Sequence, residues 1–180
     1  MQRQVLLLLL LMNSLFLYSQ TTTIKREAPL IPFGVEFTEA ADYAKYQDLV
    51  YEIISYLETF PINEATDAYR KVASAFALKW LMGSPTVSPP FYANFVMPIM
   101  KENEKIGAIM MAASLFSEAK AIMDSNSKIE DKDLIEIGIK GMIRAYDLID
   151  PKVKIRTLEK YIKLLKGNKL RKYIDGIVKE

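Results

Sequence analysis

The 180-residue chain contains no cysteine and no histidine. Without them there is no disulfide, no thiol nucleophile, no Ser-His or Cys-His pair and no zinc site of the usual kind. Catalysis would have to run on carboxylates, lysine, tyrosine or serine, so the expectation is a non-enzymatic protein with no cofactor and no bound metal. The missing disulfides do not threaten folding. A domain of about 160 residues buries about two-thirds of its unfolded surface and needs no staples. Also missing is any sustained apolar–polar alternation of the kind a half-buried strand requires, which leaves three- and four-residue periods as the dominant pattern.

The N-terminal stretch MQRQVLLLLLLMNSLFLYSQ has one early base (Arg3), an apolar run from Val5 to Met12 renewed at Leu15 to Leu17, and a polar exit. This is the layout of a secretory signal peptide, with cleavage expected between Ser19 and Gln20. Asn13 and Ser14 interrupt the run before it reaches the roughly 20 apolar residues of a membrane span. A lipoprotein anchor is excluded because no cysteine exists to carry the lipid. The expected organisation is a signal peptide over 1–19, an extended lead-in over 20–36 and a helical domain over 37–180. The destination is periplasmic or secreted.

Removing Arg3 with the leader leaves 23 bases against 22 acids. Their distribution is uneven. Eight acids and one base, Lys45, lie between Glu36 and Asp67, whereas nine bases and one acid, Glu159, lie between Pro151 and Lys172.

Thr38 is the expected N-cap of a first helix whose inner stripe is Tyr43, Tyr46, Val50, Ile53 and Leu57. Asn63 caps a second, apolar on nearly every side from Ala68 to Met82 and therefore expected at the centre, with Gly83 as its stop. A short helix from Tyr92 to Asn103 holds Pro98 in its first turns. Glu104 to Met123 carries eight consecutive apolar residues and is the other expected interior helix. Asp131 opens the next. Asp150-Pro151 reads as an N-cap and N1 pair restarting the chain into a helix with the stripe Ile155, Leu158, Ile162 and Leu165. Gly167 ends it, and a last stripe follows. The expected fold is all-α, an antiparallel bundle of five to six helices, with a short helix-pair solenoid as the alternative.

Two places are candidate binding sites. Lys154, Arg156, Lys160, Lys163, Lys166, Lys169, Arg171 and Lys172 flank the apolar stripe of the basic region. This pattern suits an acidic partner or an anionic membrane surface met peripherally. Nucleic acid is not an expected partner for an exported chain so close to neutrality. The second candidate is an aromatic corner in which Trp80, Tyr92 and Phe95 surround the stiff, proline-rich segment GSPTVSPP. A carboxylate-dependent hydrolase built on Asp48, Glu52 and Glu58 among the tyrosines of the first helix is the rival reading. The loop DSNSKIEDKD departs from a calcium loop at three ligand positions, Lys128, Ile129 and Ile135.

The segment Lys79-Trp80-Leu81-Met82-Gly83-Ser84-Pro85, together with the leader, resembles small exported helical proteins of Gram-negative bacteria. That resemblance implies a bacterial envelope protein contacting another envelope protein or an anionic surface. It carries over no catalytic residue.

Overall fold

The computed structural model describes residues 27–126 and 128–178, and the expected signal peptide lies outside them. Among the described residues there are seven helices: α1 (Ala40–Leu57), α2 (Glu64–Gly83), α3 (Ala93–Glu102), α4 (Glu104–Asp124), α5 (Asp131–Asp147), α6 (Arg156–Lys166) and α7 (Leu170–Ile177). The only extended pairing among them is one isolated parallel bridge between Ile62 and Ile149. The chain is all-α, with more helices than the five to six expected.

The helix starts follow local chemistry. The Asp42 carboxylate reaches back to the N–H groups of Thr38 and Glu39, at 2.9 and 3.0 Å, and fixes the entry to α1. Asn63 accepts from Thr66 N–H while Thr66 Oγ1 accepts from Asn63 N–H, a reciprocal cap on α2. Asn103 ends α3 and caps α4, its side chain accepting from Ile106 N–H at 3.0 Å.

Two hydrophobic clusters share α4. One gathers Val50, Ile53, Ile54, Phe76, Trp80 and Phe116 between α1, α2 and the C-terminal half of α4. The other gathers Met110, Ile139, Met142, Tyr146, Leu158 and Ile174 between α4, α5, α6 and α7. The lead-in follows the first cluster: Ile31, Val35 and Phe37 pack on it, and Tyr69 donates to Pro29 O at 2.8 Å. Ile62 N–H donates to Leu148 O and Asp150 N–H to Ile62 O, which ties the α1–α2 connection to the end of α5.

Helix α5, not α2, is the innermost partner of α4. The buried set of α2 is Ala73, Phe76, Ala77, Trp80 and Leu81, a single stripe, while Val72 and Met82 face solvent. The alanines that made this helix look apolar all round add little area and do not require burial on every side. Between α4 and α5 the approach is close. A Cβ on Gly138 would fall 2.1 Å from Glu118 Oε1, and one on Gly141 would fall 2.7 Å from Ser117 Cβ and 2.9 Å from Ala113 O.

The expected restart at Asp150-Pro151 does not occur. Residues 152–155 are outside any helix, α6 begins at Arg156, and the extended Ile155 is buried with its N–H donating to Tyr146 Oη. The cap comes from another helix. The Glu102 carboxylate accepts from Arg156 N–H at 2.8 Å and Thr157 N–H at 2.9 Å, and also from the Thr157 hydroxyl. A carboxylate at a helix N-terminus satisfies free N–H groups and opposes the positive end of the dipole. Pro98 sits at the sixth residue of α3, in its second turn.

Candidate functional site

The basic C-terminal region divides by geometry. Lys154 from the segment before α6, Arg156, Lys160 and Lys163 from α6, and Lys169 from the α6–α7 turn line one concavity of about 590 Å³. Glu159 and Leu164 complete its wall. The α6 members fall at three- and four-residue intervals, hence on one face. The opposite face of the helix is anchored by Leu158 and Tyr161, both buried, and Tyr161 donates to Phe95 O at 3.0 Å. Sequence reasoning missed Tyr161 as an anchor, although its three-residue step from Leu158 is the signal. Ile162 and Leu165, expected in the buried stripe, are only half-buried.

Five cations and one acid share this concavity, and the acid is engaged, since Tyr146 Oη donates to Glu159 Oε1 at 3.1 Å. Lys160 donates to Tyr173 Oη at 3.1 Å and lies 4.2 Å from the centre of that ring. Arg156 approaches Glu102 at 3.6 Å but keeps 89% of its side chain exposed. Among the described residues, Lys154, Lys160, Lys163 and Lys169 have no carboxylate within ion-pair distance. The α6 N-terminus is already occupied by Glu102, so the positive charge of the concavity comes from its side chains.

The other predicted bases lie elsewhere. Arg171 pairs with Asp133 at 2.5 Å and Glu136 at 3.6 Å, fastening α7 to α5. Lys166 and Lys172 are exposed outside the concavity. No ion pair among the described residues joins the basic region to the acids between Glu36 and Asp67. α6 packs on α3, α5 and α7, while α1 packs on α2 and α4.

The aromatic corner is not a surface. Trp80 is fully buried, and its Nε1–H donates to Tyr43 O at 2.9 Å. Phe95 is buried in the other cluster, and Tyr92, half-buried, donates to Asp131 O. Burial claims these rings because they supply large apolar area with at most one polar atom each to satisfy. Gly83 also differs from expectation. The chain does not turn left-handed there; instead a Cβ would fall 1.9 Å from the Tyr43 hydroxyl oxygen.

The carboxylates of the hydrolase reading do not face one another. Asp48 and Glu52 are exposed. Glu58 takes a hydrogen bond from Ser117 at 2.7 Å and ion pairs from Arg144 at 3.0 Å and Lys120 at 3.4 Å. Burial pushes its carboxyl up, but the hydrogen bonds of Ser117 and Arg144 and the charges of Arg144 and Lys120 outweigh burial and hold it below the usual range. A carboxylate so stabilised is a poor base for the Ser117 hydroxyl.

Glu118 is the buried carboxyl that no sequence signal revealed. Ser114 Oγ donates to its Oε1 at 2.7 Å, and its Oε2 is buried without a hydrogen-bond partner among the described residues. Burial drives its pKa up to about 8 against the opposing Ser114 bond. No group of three or more His, Asp or Glu side chains placed to hold a metal ion occurs among the described residues.

Compared with protein-family models, with curated proteins and with solved structures, the chain matches none.

Proposed function

We propose that the protein is a non-enzymatic binding protein of the bacterial envelope that docks an acidic segment of another protein in the α6 concavity. The observation that carries this reading is the convergence of Lys154, Arg156, Lys160, Lys163 and Lys169 on one depression, with four of them lacking an acidic partner among the described residues. An exposed lysine loses little hydration in such a site, so binding is steered by charge and weakens with salt. Export through the N-terminal leader, and organisation as an antiparallel helical bundle, belong to the same proposal. The seven-residue likeness at Lys79–Pro85 is its support for a bacterial envelope setting.

The test is binding of a polyglutamate peptide to the purified protein across a salt series. Affinity should fall steeply between low and physiological salt, and the triple reversal Lys160→Glu, Lys163→Glu, Lys169→Glu should abolish it while the helical signal is kept. Reversal of Lys166 and Lys172, outside the depression, should matter far less. Binding that ignores salt and survives the triple reversal refutes the reading. Stronger binding to anionic than to neutral vesicles, without peptide binding, favours a lipid surface in its place. Mass measurement of the exported chain, with Gln20 at its N-terminus, checks the leader.

A further inference from the structure

Helix α4 is the most apolar in the fold, and by length and composition it is long enough to cross a membrane, yet only half of its most apolar window is buried. Part of the remainder lines a groove of about 480 Å³ shared with α2, to which Leu57, Ile62 and the α5 residues Gly141 and Ala145 also contribute. Small side chains keep it open: Ser74 and Ala75 on α2, Ala108 and Ala112 on α4. Leu78, Ile109, Met111 and Phe116 make its walls apolar. This volume lies in the range of small-molecule sites, about 300–1,000 Å³.

The rim is cationic. Its two acids are both matched, Asp67 by Lys71 at 2.6 Å and Glu58 by Arg144 and Lys120. Arg70 and Lys105 also line the groove, and neither has a carboxylate within ion-pair distance among the described residues. Arg70 donates to Leu57 O and Phe60 O, which orients the guanidinium without neutralising its charge. Lys105 sits close enough to Asp67 for its field to act on that carboxyl, which places it at the same end as the Asp67–Lys71 turn. An apolar trough with uncompensated positive charge at one end complements a ligand that is a hydrocarbon chain with an anionic head.

We propose that this groove binds a single long-chain fatty carboxylate, its chain along the Ala75–Ala108–Ala112 trough and its carboxylate at Lys105 and Arg70. The site is separate from the α6 concavity and does not depend on it.

The test is calorimetric titration of the purified protein with carboxylates from octanoate to palmitate and with the neutral alcohol hexadecanol. One palmitate should bind per chain, and each added methylene should tighten binding about fourfold until the groove is filled. Ala112→Phe should weaken palmitate binding by at least about tenfold. Ala108→Phe, at an exposed position, should do the same and serves if the first variant misfolds. Lys105→Glu should weaken palmitate about fivefold to tenfold and leave hexadecanol unchanged. Absence of palmitate binding, or affinity indifferent to both alanine variants, overturns the proposal. A concentration-dependent dimer in sedimentation that either phenylalanine variant dissolves would show that a second copy covers the groove, and also overturns it.

Discussion

Positions with little tolerance for change lie on the seam between α4 and α5. Glu118 sits there with one oxygen on Ser114 and the other unpartnered, and its proton is held to about pH 8 by burial. The unfolded chain releases that proton near the ordinary value of 4.5, so between about pH 4.5 and 8 the folded state binds more protons and stability falls as pH rises. Glu118→Gln should flatten that slope and raise stability at pH 8 by on the order of 2 kcal/mol, read from urea unfolding across pH. A variant with the wild-type slope would show that Glu118 is ionised in the fold. The facing glycines differ in what they oppose. Gly141→Ala meets the Ala113 carbonyl and Ser117 Cβ and should cost about 2–3 kcal/mol; Gly138→Ala meets the movable ends of Glu118 and Ser114 and should cost about 1. Little of this was legible in sequence. The close approach at Gly138 and Gly141 depends on what the opposite helix brings, which their own neighbours in sequence do not specify.

At the scale of elements, whatever depends on a few neighbouring residues was legible. Asn63, the acids after it and the stripe Val50, Ile53, Leu57 specify α1 and α2 to within a residue or two. The start of α6 was not legible, because its cap, Glu102, is 54 residues away and supplies what Asp150 was expected to give. Glu102→Ala should cost about 1–2 kcal/mol, with Glu102→Gln costing less because the amide oxygen still accepts. The pH dependence has the opposite sign to that of Glu118. The Thr157 hydroxyl, opposed by burial and aided by the backbone N–H groups of Arg156 and Thr157, holds the Glu102 carboxyl below its usual range. Its stabilisation is therefore present above about pH 4.5 and lost as pH falls, and the alanine variant should lack that acid-side loss in denaturation curves. The central position expected for α2 failed for a different reason. Hydropathy counts alanine as apolar, whereas burial follows area, and α5 offered the wider continuous face.

The whole molecule keeps its two charges apart. The acids of α1 and the start of α2 stand on one half, the lysines of α6 on the other, and the shared helix α4 separates them. That separation was readable as an uneven charge distribution along the chain. Which lysines converge was not, since Arg171 turns inward to Asp133 and Glu136 while Lys169 joins Lys154 across a turn. Opposite-charge halves carry an oriented field, so encounter with an acidic partner should slow as salt rises with a smaller change in dissociation rate, measurable by stopped flow. The most direct measurement is a nitrogen-15 amide spectrum of the protein titrated with polyglutamate peptide. Saturable shifts confined to Lys154, Arg156, Lys160, Lys163 and Lys169 and their immediate neighbours are the result predicted. Shifts scattered over the surface, centred on the α2–α4 groove, or absent at peptide excess would contradict it.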